Sequence, residues 1–220
     1  MTIPEQTFVF ADLAGYTALT EAHGDDVAAD VAIEFCRELN RLLPAGAQDV
    51  KSLGDACMVR VPDPLDAVAF GVALVQDAAA DRPFPHVRVG MHTGPAVRRG
   101  SDWFGAAVNV AARVAERAGP GAVLLTDATR NAIGDIDGLD LRPLGSEALR
   151  NVKRLTATWQ VRLAANDVEQ VDPVCRMRIR GHAITRRRDA GETLSFCSAG
   201  CADAFDRAPT AYLNPDQSVA

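Results

Sequence analysis

The sequence predicts an α+β fold, in which helices pack over a mostly antiparallel sheet. Two observations lead to this class. Apolar runs of strand length alternate with helical patterns, and two predicted strands are joined by a tight Gly-Asp turn. With 48% apolar and 24% charged residues, the composition excludes wholesale disorder. The predicted strands span residues 8–11, 49–53, 56–61, 87–91, 123–126 and 155–163, and the predicted helices span 17–43, 65–80, 105–118 and 128–133.

Turn residues separate the elements of the first half of the chain. The apolar run FVFA stops at Asp12, and the AGYT turn after it leads into a long helix that ends at Pro44 and Gly46. The next two strands meet around Gly54 and Asp55, which indicates a hairpin. A helix with apolar periodicity then follows this hairpin.

Glycine and proline also divide the second half. The strand at 87–91 is followed by a turn region containing Gly94, Pro95 and Gly100. The next helix stops at Gly119 and Pro120. A strand, a short helix and a final strand complete this predicted unit.

Length, charge and cysteine content all indicate two unequal parts. A chain of 220 residues allows one full domain and a remainder. Residues 172–220 contain seven arginines and six acids, a net charge of +1, so the preceding part carries −7 of the total of −6. Three of the five cysteines also lie in this last fifth. We predict a domain at 1–163, a linker at 164–170 and a small Cys-containing module at 171–220.

Several functional classes are disfavoured by composition. A net charge of −6 and an isoelectric point of about 5.2 argue against binding to a nucleic acid polymer or a membrane surface, because both need clustered basic residues. No apolar stretch is long enough to span a bilayer, and the N-terminus lacks a secretory signal pattern. The sequence therefore predicts a cytoplasmic protein.

Two carboxylates form the first candidate site. Asp12 follows an apolar strand and Asp55 lies at a hairpin tip. Carboxylates on neighbouring strand ends can bridge hard divalent cations, and a turn leading into a helix offers N–H groups to a polyphosphate. Taken singly, each residue is more simply explained as a turn or hairpin residue.

Four further polar residues have a chemical and a simpler interpretation. Asn109 and Arg113 are four residues apart and share one helix face, which could also be an ordinary solvated stripe. Lys51 and Asp102 could be a surface charge and a turn residue. Their order along the chain, together with the two carboxylates, distinguishes the interpretations.

Five motifs in this order resemble the catalytic domain of the class III adenylate/guanylate cyclases, over residues 6–162. The motifs are FADLAGYT, VKSLGDACMV, VRVGMHTGPAV, DWFGAAVNVAARV and LRNV. The resemblance implies a ferredoxin-like sandwich of the class III cyclase type. It also implies production of 3′,5′-cyclic AMP and pyrophosphate from ATP.

The resemblance implies a role for each matched residue. Asp12 and Asp55 would hold two Mg²⁺ or Mn²⁺ ions, one activating the ribose 3′-hydroxyl and one gripping the triphosphate. Lys51 and Asp102 would read adenine, since guanine presents the reverse pattern of donors and acceptors. The remaining assignments are ribose orientation by Asn109, transition-state stabilisation by Arg113, and substrate binding by Tyr16, Thr17 and Arg150.

In this family the site lies between two chains, so the resemblance also implies a homodimer with two equivalent sites. The sequence departs from the pattern of this family in two places. The segment before Asp102 is shorter than in many animal relatives, which bears on dimer strength, and Tyr16 replaces a more usual Phe. Guanylate cyclase activity and a non-catalytic nucleotide-binding scaffold are the alternatives.

The C-terminal cysteines form a second candidate site. Cys197 and Cys201 are four residues apart at the start of a predicted helix, and Cys175 arrives from a preceding turn. Three thiolates suit Zn²⁺ or Cu⁺, although the same residues could be small buried hydrophobes. No fourth ligand is evident from the sequence. His182 is one candidate, and an ordinary surface histidine is the simpler interpretation.

The motifs VDPVCRM and LSFCSAGC resemble the YHS domain, a small metal-associated module, over residues 171–213. Arg176 departs from this pattern, since the family usually has glycine there. The fusion suggests that the metal or thiol state of the module regulates the cyclase. A protein that chiefly handles metal, with a vestigial cyclase, is the remaining alternative.

Overall fold

A computed structural model describes residues 5–76, 84–163, 170–179, 182–187 and 191–213. The strands are β1 Glu5–Leu13, β2 Gln48–Leu53, β3 Ala56–Val61, β4 Val87–Pro95, β5 Val97–Arg99, β6 Asp102–Phe104, β7 Val123–Thr126, β8 Leu141–Glu147, β9 Thr156–Val161, β10 Gln170–Val171, β11 Arg178–Ile179, β12 Ile184–Arg187 and β13 Thr193–Phe196. The helices are α1 Tyr16–His23, α2 Asp25–Arg41, α3 Pro64–Gln76, α4 Ala106–Arg117, α5 Asp127–Ile133, α6 Ala199–Arg207 and α7 Pro209–Leu213.

One seven-stranded sheet organises the chain, with the strand order β2-β3-β1-β4-β7-β9-β8. All its strand pairs are antiparallel except β4 with β7. The α+β class with helices over a mostly antiparallel sheet is therefore confirmed. None of the described helices is long and apolar enough to cross a membrane.

Helices cover both faces of this sheet. Successive residues of β1 point to opposite faces, so Val9 and Leu13 pack with α2 and α3 whereas Phe8 packs with α4. Asp12 is in phase with Phe8 and therefore lies on the α4 face. This alternation brings a charged residue to the face on which Phe8 and Phe10 also lie.

A close contact fixes α4 on the sheet. A Cβ atom at Gly90 in β4 would lie 2.0 Å from the backbone nitrogen of Ala115 in α4. Only glycine allows the two backbones to approach this closely. The position of Asn109 and Arg113 above the sheet thus depends on Gly90.

The prediction of one long helix over 17–43 is wrong, because this segment forms two helices, α1 and α2. Gly24, with φ 84° and ψ 168°, ends α1, and Asp25 and Asp26 occupy the first turn of α2. The backbone conformation of Gly24 is favourable only for glycine, and acidic residues stabilise a helix N-terminus. This break makes His23 the last residue of α1.

The sequence did not predict β8 or the short β5–β6 hairpin. β8 is an edge strand that contains Pro143 and Gly145, and its register shifts between them. Both residues are unfavourable in a strand interior and are accepted at edges and bulges. The remaining predicted elements of residues 1–163 are present, although residues 77–80 of the third predicted helix lie outside the described part. The turn predicted at Gly94 and Pro95 is wrong, because β4 continues through both residues in its pairing with β1.

The C-terminal region packs directly on the cyclase-like part of the chain. Its apolar core combines Phe196, Cys201 and Phe205 with Leu19 of α1 and Ala28 of α2. Two short connections add to this core. Pro85 forms an isolated bridge with Met177, and Arg178, which is buried, donates from its backbone N–H and from Nε to the carbonyl oxygen of Phe84. The linker predicted at 164–170 falls outside the described residues except for Gln170.

Candidate active site and cysteine cluster

The two predicted metal-binding carboxylates lie side by side. Asp12 is near the end of β1 and Asp55 is in the turn between β2 and β3, the strand that pairs with β1. The backbone N–H of Leu13 donates to the Asp55 carboxylate, which brings Asp55 beside Asp12. The strand pairing thus brings together two residues that are far apart in sequence.

Arg88 is a site residue that the sequence interpretation missed. It lies in β4 directly opposite Asp12, and its Nε donates to the Asp12 carboxylate. Its place within the motif VRVGMHTGPAV was visible, but its partner depends on the register between β1 and β4. Arg88 therefore balances charge at a site that contains two acids.

Burial and mutual repulsion perturb both carboxylates. Burial raises the pKa of Asp12, and the hydrogen bond from Arg88 opposes this rise. Burial also raises the pKa of Asp55, and the negative charge of Asp12 raises it further. Hard oxygen ligands of this kind, held close at a cost in repulsion, fit a divalent cation such as Mg²⁺ or Mn²⁺.

The predicted base-reading residues also meet. Lys51 Nζ donates to Asp102 Oδ2 over 2.8 Å, and the Nζ lies 5.8 Å from the centre of the exposed Phe104 ring. The β5–β6 hairpin places Asp102 there, because Trp103 packs on the sheet and donates to Gln48 of β2 at 3.1 Å. The result is a polar pair beside an aromatic surface, which suits a nucleobase.

The predicted ribose and phosphate residues lie on and beside α4. Asn109 is exposed, and Arg113 is half-buried one turn further along the helix. Glu116 lies between two predicted phosphate-binding arginines. Arg113 donates to its carboxylate, and Arg150 Nη2 lies 3.5 Å from the same carboxylate. The structure thus brings Arg113 and Arg150 together around one acid.

The turn that was expected to face a polyphosphate also has a defined structure. Gly15 has a φ of 95°, in the left-handed region, and α1 begins at Tyr16 directly after it. Tyr16 is half-buried between two apolar cores, whereas Thr17 is exposed. Of these two predicted substrate-binding residues, only Thr17 therefore has a side chain that is largely free of packing.

The three C-terminal cysteines converge, and a histidine from α1 joins them. Cys197 Sγ lies 3.5 Å from Cys175 Sγ and 3.8 Å from Cys201 Sγ. His23 Nε2 lies 3.6 Å from Cys197 Sγ and 3.5 Å from Cys201 Sγ. We call these four residues the cysteine–histidine cluster. Its fourth member is His23, and His182 is not part of it.

The other two cysteines form a separate pair. Cys36 Sγ in α2 and Cys57 Sγ in β3 are 3.1 Å apart, and Ser52 lies beside both of them. The hydrogen bond from Cys57 lowers the pKa of Cys36 to about 6, while the pKa of Cys57 rises. Among the residues that the structure describes, no histidine or further cysteine joins this pair in a metal-binding group.

The chain is similar to known nucleotide cyclases. The family model described as "Adenylate and Guanylate cyclase catalytic domain" matches residues 2–162. A pH-sensitive adenylate cyclase of Mycobacterium tuberculosis is 36% identical over 162 residues, which are 72% of this chain and 41% of that protein. An adenylate cyclase of Streptomyces coelicolor is 34% identical over 120 residues, which are 54% of this chain and 32% of that protein. The chain thus spans less than half the length of these relatives.

Solved structures share the fold. Adenylate cyclases from Trypanosoma brucei, solved in their monomeric state, superpose with a TM-score of 0.62 at 25% identity, covering 72% of this chain and 89% of theirs. An adenylyl cyclase from P. aeruginosa gives a TM-score of 0.62 at 23% identity, covering 74% of this chain and 96% of its own. Since the family model covers well over half of the chain, the protein belongs to the family of adenylate and guanylate cyclase catalytic domains.

Proposed function

We propose that the protein converts ATP to 3′,5′-cyclic AMP and pyrophosphate. One observation carries the proposal: Asp12 and Asp55 converge at adjacent strand ends on the sheet face that also bears Lys51 and α4. Membership of the cyclase family supports the reaction class. In this reaction the ribose 3′-oxygen bonds to the α-phosphorus, pyrophosphate leaves, and the hydroxyl proton passes to solvent.

Asp12 and Asp55 are the residues that would hold two Mg²⁺ or Mn²⁺ ions. When bound, such ions stabilise the attacking and leaving oxygens of an in-line displacement. The two carboxylates supply hard oxygen ligands at a place where they otherwise repel each other. Arg88 donates to one oxygen of the Asp12 carboxylate and would hold it in position.

Lys51 and Asp102 would select the base. The ammonium group donates to a ring nitrogen of adenine, and the carboxylate accepts from the exocyclic amine. Guanine offers a carbonyl oxygen and a ring N–H at these positions, so it would leave the pair mismatched. A buried mismatch of polar groups can reject a substrate by several powers of ten. The 2.8 Å contact between the two side chains supports their action as one unit.

Residues of α4 would act on the ribose and the phosphate. Asn109 orients the sugar, and Arg113 stabilises the negative charge that develops on the transferred phosphoryl group. Backbone N–H groups at the start of α1, at Tyr16 and Thr17, suit the polyphosphate because they lie at the positive end of a helix. Arg150 adds a cation to the same region.

A homodimer would place the metal-binding carboxylates of one chain opposite the residues of the other chain that bind the base, the ribose and the phosphate. The two carboxylates of one chain would face the base-reading pair and the α4 residues Asn109 and Arg113 of its partner, which gives two equivalent sites under C₂ symmetry. Regulation through the C-terminal cysteines belongs to the same proposal. The packing of that region on α1, which directly follows the AGYT turn, supports it. A cytoplasmic location and the YHS resemblance stay predictions.

The test of this proposal is a turnover assay on the full chain. Purified protein is incubated with Mn²⁺ and either ATP or GTP, with Asp12→Asn as the inactive control. Cyclic AMP from ATP, at a rate well above cyclic GTP from GTP, is the expected result. Faster turnover of GTP would establish a guanylate cyclase. Stoichiometric nucleotide binding without any cyclic product would establish a scaffold.

A further inference from the structure

The cysteine–histidine cluster has the dimensions of a tetrahedral metal site. With Zn–S bonds of about 2.3 Å and Zn–N bonds of about 2.0–2.1 Å, a regular tetrahedron has sulfur–sulfur edges of about 3.8 Å and sulfur–nitrogen edges of about 3.6 Å. The sulfur–sulfur distances at Cys197 are 3.5 and 3.8 Å. The sulfur–nitrogen distances at His23 are 3.5 and 3.6 Å. All four ligand atoms lie within 4.8 Å of one another.

The donor set indicates which metal fits. Three thiolates and one imidazole form a closed four-ligand set, which is typical of structural Zn²⁺ sites. A catalytic zinc site would instead keep one position for water or substrate. The mixture of sulfur and nitrogen ligands is unsuited to Mg²⁺, which prefers oxygen. The cluster is therefore distinct in its chemistry from the site at Asp12 and Asp55.

A buried carboxylate holds two of the cysteine-bearing segments in place. One Asp172 oxygen accepts from the backbone N–H of Val174 at 2.8 Å and of Cys175 at 3.3 Å. Its other oxygen accepts from the backbone N–H of Cys197 at 2.8 Å. Asp172 is fully buried. The third segment is fixed separately, since Ser198 caps α6 by accepting from the N–H of Cys201 at 3.2 Å.

The turn after Cys175 contacts the AGYT turn, which precedes α1. Arg176 has a φ of 64°, in the region that favours glycine, which accounts for the glycine that the resembling family usually has here. Its side chain packs against Gly15, so that a Cβ at Gly15 would lie 2.6 Å from Arg176 Cγ. Gly15 follows Ala14 in the two-residue connection between β1, which carries Asp12, and α1.

The two ends of α1 therefore both contact the C-terminal region. Arg176 packs against Gly15, directly before the start of α1, and the last residue of the helix, His23, lies among the C-terminal thiols. Between them, Leu19 is fully buried in the core shared with Cys201 and Phe205. A metal ion bound to His23 would fix the end of the helix that the apolar core already holds along its length.

We propose that the cysteine–histidine cluster binds one Zn²⁺ ion, and that this ion ties α1 of the cyclase domain to the C-terminal region. His23 is the ligand that makes the site an interdomain link. Without it, the three cysteines would form a metal site confined to the last part of the chain. The proposal goes beyond cyclase activity, and both of its tests can be made on a chain that does not turn over ATP.

The first test measures zinc content and ligand geometry in the full-length chain. We expect about one zinc per chain, and replacement by Co²⁺ should give the intense absorption of a tetrahedral thiolate site. His23→Ala should weaken zinc binding by at least about 100-fold, because loss of a mere outer-shell partner already costs 10–100-fold. Cys197→Ser, at the exposed cysteine, should have a similar effect.

Two matched controls accompany these variants. His182→Ala removes a histidine of the C-terminal region that lies outside the cluster, and Cys36→Ser removes a thiol of the separate pair. Both should retain one zinc and the full cobalt spectrum. Retention of zinc and of an unchanged cobalt spectrum by His23→Ala would overturn the interdomain site. A chain that is prepared under reducing conditions and takes up no zinc would overturn the metal site itself.

The second test measures the link to α1 by hydrogen–deuterium exchange. Addition of zinc to the metal-free chain should slow exchange in peptides covering residues 16–23 by roughly tenfold or more, because opening α1 would then require a metal bond to break. The slowing should be absent in His23→Ala and present in His182→Ala. Protection that is confined to the C-terminal cysteine segments, with α1 unaffected, would contradict the link.

Discussion

The two candidate metal sites of this protein differ in chemistry and in construction. Asp12 and Asp55 offer oxygens at the ends of paired strands, and both side chains remain partly accessible. The cysteine–histidine cluster offers sulfur and nitrogen in a closed set, and joins residues 178 positions apart. An open oxygen site leaves room for phosphate oxygens, whereas a closed sulfur site leaves room for none.

This difference is the one expected if the carboxylates serve catalysis and the cysteine–histidine cluster serves structure. In the site at Asp12 and Asp55, burial and then the negative charge of Asp12 raise the pKa of Asp55, so the ionised pair is disfavoured before any ion binds. The cysteine–histidine cluster is instead supported by Asp172, whose carboxylate accepts hydrogen bonds from backbone N–H groups. The two sites meet at α1, whose start follows the Asp12 strand and whose last residue is His23.

The largest expected effect comes from removing an oxygen ligand. Asp55→Asn should lower cyclic AMP formation by at least about 10³-fold, because bound ions supply several kcal/mol of transition-state stabilisation and about 1.4 kcal/mol is tenfold in rate. Zinc content should stay unchanged. Asp26→Asn, an exposed acid of α2, is the matched control. A parallel loss of zinc in Asp55→Asn would show that the two sites are not separate.

A slightly smaller effect is expected at the transition-state cation. Arg113→Ala should lower kcat by about 10²–10³-fold with little change in KM, since its charge interacts with the reacting phosphoryl group. Arg117→Ala, on the same helix and paired with Glu147 at 2.6 Å, should behave as wild type. Steady-state kinetics of both variants with Mn²⁺ and ATP make this comparison. Equal losses in the two variants would indicate a general effect on α4.

Base selection should show a still smaller effect. Lys51→Gln removes the charged donor and should lower kcat/KM for ATP by about 10–10²-fold, the range of a lost hydrogen bond to a charged group. The preference for ATP over GTP should fall with it. Lys153→Gln, at the exposed second lysine of the chain, is the control. An unchanged ratio of ATP to GTP turnover would remove Lys51 from base recognition.

Loss of a ligand from the cysteine–histidine cluster should lower cyclase activity moderately. Cys197→Ser should lower cyclic AMP formation by about fivefold or more, within the usual range of coupling between distant sites. The physical reason is that α1 and the turn at Gly15 would lose one anchor. Cys36→Ser serves as the control thiol substitution. Equal activity of Cys197→Ser and wild type across a zinc titration would show that the sulfur site does not regulate the oxygen site.

The smallest expected effect is on thermal stability in the absence of ions. Burial and the charge of Asp12 raise the pKa of Asp55 above its ordinary value of 3.8. The folded chain is therefore favoured by protonation of Asp55, and this contribution is lost as pH rises through the raised pKa. Asp55→Asn should raise Tm at neutral pH, and the gain should disappear below about pH 4. A lower Tm of the variant at neutral pH would contradict the repulsion.

Most of the oxygen site could be predicted from the sequence because its residues lie in local motifs. The strand end at Asp12 and the hairpin at Asp55 are short-range patterns, and their pairing follows from antiparallel strands. Arg88 could not be assigned in this way. Its contact with Asp12 depends on the β1–β4 register, which spans 76 residues of sequence.

The cluster shows where local patterns fail. The three cysteines were predicted to converge, but His23 lies in another predicted domain and inside what the sequence predicted as one long helix. The break at Gly24 makes His23 a helix end. Only the packing of Leu19 and Ala28 against the C-terminal core brings it to the thiols. That packing is a long-range property, and no spacing of residues encodes it.

The most direct test of the central claim, a cyclase site shared between two chains, is a complementation experiment. Asp12→Asn and Arg113→Ala chains are each assayed alone and then after mixing in equal amounts under conditions that allow subunit exchange. Random pairing makes half of the dimers mixed, and each mixed dimer has one intact site, so about a quarter of wild-type cyclic AMP formation should return. A mixture no more active than the average of the two separate variants would contradict the shared site.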